Sequence, residues 1–181
     1  AHPAEALAAA RSLVATAPDD PYFLELEGQI LLESGRPAEA LPALRRAVER
    51  SSSQPLIAAL LGHALIASED AANLDEAEQV LRAAVSRDNS NPFAWYQLGI
   101  VYAQRGDEAR AALATAERYQ LSGNPALALP SAEAAQAALP QGSADWLRAQ
   151  DIAMVARTGL EEQRRRARRN PDERGRMTIA P

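Results

Sequence analysis

His2 and His63 are the only imidazoles in this 181-residue chain, and it has no cysteine. Zinc sites take three or four His, Cys or carboxylate ligands in a tight pattern, and the two distant histidines with no His-Glu-x-x-His do not supply one. No glycine-rich phosphate loop and no Gly-x-Ser-x-Gly elbow occurs, and the serines at 51–53 fall in a connection between helices. Without cysteine there is no disulfide and no thiolate nucleophile. No catalytic, cofactor or metal residue is therefore expected in this segment.

The strongest charge feature is Arg164–Arg169, a cluster of five arginines near the end of the chain. Residues 157–181 hold eight arginines against four acids, so the net charge of −5 divides into about −9 for the body and +4 for the tail. All 19 basic residues are arginine, which reads as coding bias rather than as selected contacts. An arginine cluster can touch nucleic acid or anionic lipid, but this one has no interleaved aromatics for stacking and sits on an acidic body. It reads as a solvated, mobile tail, or as a prolongation of the last helix through Glu161–Arg169 that Asn170-Pro171 would end, and nucleic acid is not expected as a partner. No apolar run reaches the roughly 18 to 20 residues of a membrane helix, so no insertion is expected.

What remains is a chain built to position contact-making side chains. It is 47% hydrophobic, alanine-rich and only 4% aromatic, with few β-branched residues, a composition that favours closely packed helices over sheet. A repeat organises it. Pro3-Ala4-Glu5-Ala6-Leu7 recurs as Pro37-Ala38-Glu39-Ala40-Leu41, 34 residues on. Gly28 and Gly62 keep the same interval, and Gly99 follows at 37, the three extra residues fitting the connection Asp70-Ala71-Ala72-Asn73.

Proline in the first helical turn and glycine just past the last divide each period into two helices. Asp20-Pro21, Asn91-Pro92 and Asn124-Pro125 read as helix starts, and Gly35, Gly106 and Gly123 as stops. The spacing predicts nine helices near 4–16, 21–34, 37–50, 55–68, 74–87, 92–105, 107–121, 125–138 and 144 to at least 160. Pro42 and Pro130 lie inside helices, where each removes a backbone hydrogen bond.

These residues resemble the tetratricopeptide-repeat family. Trp95, Leu98-Gly99, Tyr102, Gly106-Asp107 and Ala111 fit its pattern best. Leu24, Gly28, Leu31, Gly35, Ala40, Leu44 and Ala47 form an earlier unit, and Leu61-Gly62, Leu65, Ala77, Leu81 and Ala84 another. Glu27 stands where leucine is usual. The resemblance implies an all-α solenoid of antiparallel helix pairs wound into a right-handed superhelix. The array spans 1–142, with a half repeat at 1–18, units at 19–54, 55–91 and 92–124, and an irregular last unit at 125–142. The segment 109–121 fits two registers: second helix of one unit, or first helix of the next through Ala116, Tyr119 and Gly123. A helix over 143–163, with Ser143 as its cap and Trp146, Ala149, Ile152, Ala156 and Leu160 as its apolar stripe, is expected to close the open end, ahead of the basic tail at 164–181.

A scaffold of this kind is expected to bind a protein or peptide in its concave groove. The pattern places Tyr22, Glu25, Gln29, His63, Phe93, Tyr96 and Ile100 there and, if the fourth unit holds, Arg110 and Glu117. Relatives that clamp acidic chaperone C-termini use cations at positions that here carry Glu25, Gln29, Leu60, Phe93 and Gln97, so that partner is not expected.

A narrower resemblance spans most of residues 20–152. Glu25-Leu26-Glu27-Gly28-Gln29, Leu31-Leu32-Glu33-Ser34-Gly35, Gln120-Leu121-Ser122-Gly123-Asn124 and Trp146-Leu147-Arg148-Ala149-Gln150-Asp151-Ile152 are similar to the C-terminal domain of BepA-type periplasmic zinc metallopeptidases. It implies a non-catalytic, periplasmic domain in outer-membrane protein quality control, contacting its own peptidase domain and outer-membrane assembly proteins. Zinc and proteolysis would belong to a preceding domain. The opening half repeat and the non-methionine start fit an excised piece. The alternative is a stand-alone bacterial adaptor, cytoplasmic and without an enzyme.

Overall fold

A computed structural model describes residues 2–169. Among them nine α-helices follow in order: α1 (Pro3–Thr16), α2 (Pro21–Glu33), α3 (Pro37–Arg50), α4 (Pro55–Ala67), α5 (Leu74–Arg87), α6 (Pro92–Gln104), α7 (Glu108–Leu121), α8 (Pro125–Ala138) and α9 (Ala144–Arg169). The first eight fall within a residue of the predicted limits. The ninth runs further, because Glu161 to Arg169 contains strong helix formers and neither glycine nor proline. Arg164–Arg169 therefore continue α9 with exposed side chains; the rest of the expected tail, 170–181, lies outside the described residues.

The punctuation works as its chemistry dictates. The Asp20 carboxylate accepts from the Tyr22 N–H at 2.9 Å and the Phe23 N–H at 3.2 Å, and the Asn91 side chain accepts from the Phe93 N–H at 2.9 Å. Gln54 caps α4 in the same way, accepting from the Leu56 N–H at 2.7 Å. Gly35 stops α2 with φ +71°, which lets the Arg36 N–H reach back to the Leu31 carbonyl at 2.9 Å. The same closure recurs after α6 and α7, where the Asp107 and Asn124 N–H groups bond the Tyr102 and Tyr119 carbonyls. The three extra residues form a single 3-10 turn, Ala71–Asn73, with the Asp70 carboxylate accepting from the Ala72 N–H at 2.9 Å.

Each helix packs antiparallel against the next, and α2 also touches α4 while α4 touches α6. Close approach within a pair rests on the periodic glycines. A Cβ added to Gly28 would lie 2.4 Å from Leu44 Cγ, and one added to Gly62 would lie 2.5 Å from Leu81 Cγ. Leu44 and Leu81 are themselves fully buried, each a knob filling the hole its glycine leaves.

At α7 the pattern changes. The next-but-one contact now joins α7 to α9, and α7 pairs with α8 as closely as it does with α6. Helix α8 repeats the layout of α3: proline at its first and sixth positions, and buried Ala128, Ala132 and Ala135 where α3 has Ala40, Leu44 and Ala47. Both registers read from the sequence thus hold together, α7 closing the α6 pair on one side and opening the α8 pair on the other. The apolar core divides at the same helix. Ala111 and Ala114 belong to the cluster shared with α1–α6, whereas Leu113 and Ala116 join Ala132, Ile152 and Ala156 beneath α9.

Candidate functional site

Residues three and seven apart share one face of a helix, so Tyr22, Glu25 and Gln29 align on α2, and Phe93, Tyr96 and Ile100 on α6. Helix α4 joins the two stripes. Gln29, Leu32 and Glu33 face Leu60 and His63 across a cleft of about 440 Å³. The His63 ring then meets Phe93 edge-on, with centroids 5.5 Å apart and planes at 72°. Tyr96 and Ile100 continue into a second cleft of about 570 Å³, floored by Gly99, Ala111 and Thr115 and bounded beyond by Pro130 and Ala134 of α8.

Five of the nine residues expected in the groove, Gln29, His63, Phe93, Tyr96 and Ile100, thus line the two clefts or the ring contact between them, and Tyr22 and Glu25 share the face of α2 that carries Gln29. Tyr22 is 63% exposed, Tyr96 44% and Phe93 39%, high values for aromatic rings in a protein with so few of them. Burial pushes the His63 imidazole below its ordinary value of 6.5, so the ring is neutral at neutral pH and can both donate and accept. Burial likewise raises the Glu25 carboxyl above its ordinary 4.5. The Gln29 amide donates to the Glu33 carboxylate at 2.8 Å, one turn along.

Arg110 and Glu117 do not join this strip, which corrects the expectation for them. Residues Ala111, Thr115 and Arg118 of α7 face the second cleft, and Arg110 and Glu117 lie on the opposite side of the helix, toward α9. Arg110 donates to Asp145 of α9 at 3.1 Å and to Asp107 at 3.0 Å. Glu117 is 5% exposed and accepts from Arg148 of α9, whose guanidinium also stacks 4.9 Å over the Trp95 ring. Their polar groups are committed to fastening α9.

The residue that sequence reasoning passed over is Arg118. Its guanidinium carbon lies 4.5 Å from the Tyr96 ring centroid and 4.9 Å from that of Tyr119, at the rim of the second cleft. Among the described residues it makes no salt bridge, while Arg105, Arg110, Arg148 and Arg157 each find a carboxylate. A signal existed in the repeat. One period on, Leu81 and Ala84 of α5 correspond to Thr115 and Arg118 of α7, a small polar residue and a cation where a knob and a spacer are expected.

Among the described residues no group of three or more His, Cys, Asp or Glu is placed to hold a metal ion, and no helix is long and apolar enough to cross a membrane.

Comparison with known proteins agrees with this architecture. A tetratricopeptide-repeat family pattern matches residues 1–55 and 66–123. Among solved structures, the fold is similar to MamA, at 19% identity and a TM-score of 0.61, covering 88% of this chain and 89% of that one. It is similar to YrrB, described as a TPR protein with an unusual peptide-binding site, at 23% identity and a TM-score of 0.62, covering 72% and 66%. It is also similar to a thermophilic TPR protein of Thermus thermophilus, at 21% identity and a TM-score of 0.50, covering 85% and 88%. No curated protein sequence matches the chain.

Proposed function

The chain belongs to the tetratricopeptide-repeat family, and from that premise we propose that it is a protein-interaction scaffold whose α2–α4–α6 face holds a segment of another protein. The observation that carries this reading is the continuity of the strip. Tyr22, His63, Phe93 and Tyr96 form a largely aromatic track over the alternate helices α2, α4 and α6, with the polar groups of Glu25 and Gln29 beside it. Rigid aromatic rings supply contact area at small entropic cost, and flanking polar groups orient a backbone. Among the described residues the exposed aromatic rings, Tyr22, Phe93 and Tyr96, all lie on α2 and α6, and exposed aromatic surface of this kind marks interaction sites.

The test is an array of immobilised 12-residue peptides probed with the purified protein and with a His63→Ala, Tyr96→Ala double variant. The variant is expected to lose most of the spots the wild type retains. Equal retention of every peptide would remove the strip as the binding surface.

We further propose that this scaffold is the non-catalytic domain of a periplasmic zinc metallopeptidase engaged in outer-membrane protein quality control. The support is the residue resemblance over 20–152. In this reading its partners include its own peptidase domain and outer-membrane assembly proteins, and zinc and hydrolysis reside in the other domain. The coding sequence decides it: an upstream His-Glu-x-x-His and a signal peptide support the assignment, and a start codon directly before Ala1 leaves the stand-alone cytoplasmic adaptor.

A further inference from the structure

In the first two pairs the first helix offers a glycine and the second fills it with leucine: Gly28 with Leu44, and Gly62 with Leu81. The third pair keeps the glycine and loses the leucine. A Cβ added to Gly99 meets nothing closer than Ala114 Cβ at 3.5 Å, and Thr115, in the leucine register, stands with its hydroxyl oxygen 3.8 Å away. The Thr115 hydroxyl donates to the Ala111 carbonyl at 2.8 Å, so its polar atom is satisfied within the helix. The internal knob is therefore missing where the cleft of about 570 Å³ opens, and that cleft is continuous with the strip through Tyr96 and Ile100.

The charges at this socket are asymmetric. Arg118, one turn beyond Thr115, is clasped between Tyr96 and Tyr119 and has no carboxylate partner among the described residues. Glu108 lies at the other end of the cleft, about 15 Å away along α7 at 1.5 Å per residue. The stacking holds the guanidinium in place while leaving its N–H edge available, the arrangement suited to a carboxylate.

We infer that this socket takes the side chain of a leucine or isoleucine from a bound extended segment, with a carboxylate of the same segment paired to Arg118. The partner thus supplies the knob that α7 lacks. The inference rests on the groove reading above and adds the chemistry of its occupant. Socket and guanidinium are one helical turn apart, about 5 Å, and side chains two residues apart in an extended strand lie on the same side at about 6.7 Å. The favoured pattern is therefore Leu-x-Glu or Leu-x-Asp, with its acidic residue at the Arg118 end and away from Glu108.

The test is an amide NMR titration with capped nonapeptides in a Gly-Ser background, carrying Leu-Ser-Glu, Leu-Ser-Gln or Ala-Ser-Glu at the centre. The Leu-Ser-Glu peptide is expected to shift the amides of Gly99, Thr115 and Arg118, and the other two to bind roughly five- to tenfold more weakly. Thr115→Leu restores the knob within the chain. It is expected to keep the fold at undiminished stability while weakening the peptide at least about tenfold. Arg118→Gln should make the Glu and Gln peptides equivalent. The inference is overturned if wild type shows no shifts at these three residues, if Thr115→Leu binds as wild type does, or if the Gln peptide binds as tightly as the Glu peptide. Shifts confined to Tyr22, Gln29, His63 and Phe93 would end the socket and leave the groove reading standing, whereas the groove reading fails only on the peptide array.

Discussion

Gly62 and Gly99 occupy equivalent positions in successive units, and the structure predicts opposite outcomes for the same substitution. Replacing a mid-helix glycine by alanine removes backbone freedom from the unfolded chain and stabilises by roughly 0.5–1 kcal/mol when space allows. At Gly99 space allows, since the nearest atom to the new Cβ is 3.5 Å away. At Gly62 the new Cβ would lie 2.5 Å from both Cγ and Cδ2 of Leu81, so a fully buried leucine must move by about 1 Å at its branch point. Overpacking of that kind costs about 1–3 kcal/mol. The net expectation is a loss of about 0.5–2 kcal/mol for Gly62→Ala and a gain of about 0.5–1 kcal/mol for Gly99→Ala. Urea denaturation followed by circular dichroism at pH 7 reads both. With a slope near 2 kcal/mol/M, the midpoints should part by roughly 0.5–1.5 M. Leu81→Ala added to Gly62→Ala should cost less than the two separate losses together, because the new methyl occupies part of the vacated space. A Gly62→Ala midpoint at or above wild type, or a Gly99→Ala midpoint as low as that of Gly62→Ala, would refute the knob-and-hole account of the repeat.

Arg148→Ala should destabilise the C-terminal end by about 1–3 kcal/mol, because Glu117 is left buried without its cation; amide exchange in α9 should rise well above that in α2. Stability should fall as pH drops from about 7 toward 5.5, since the unfolded chain takes up a proton on His63 at its ordinary 6.5 while burial opposes this in the folded state. His63→Phe should flatten that part of the urea-midpoint profile, and an unchanged profile would dismiss the histidine as its cause. Pro42→Ala should stabilise the chain by about 1–2 kcal/mol, as Pro42 is exposed and its ring denies the Ala38 carbonyl its helical partner; a lower urea midpoint would show that the proline is needed for the shape of α3.

The repeat and the limits of eight helices could be read from the chain alone, because each depends on residues close in sequence, whereas the seating of Leu44 on Gly28 and of Leu81 on Gly62 appeared only in the packed chain. Proline at a helix start, Asp20 or Asn91 as a cap and Gly35 as a stop act through bonds a few residues long. The alignment of Tyr22, Glu25 and Gln29, or of Phe93, Tyr96 and Ile100, follows from helical periodicity, and stacking one period on another joined them across His63. Helix α7 is where this stopped working. Its sequence satisfies both halves of the repeat, and periodicity says which residues share a face without saying which neighbour that face meets. Only the packed chain decided that Arg110 and Glu117 turn to α9, where Asp145 and Arg148 receive them, while Thr115 and Arg118 turn to the open cleft. The physical reason is that α7 borders two cores at once, and the side on which α9 closes is set by contacts more than thirty residues apart in the chain.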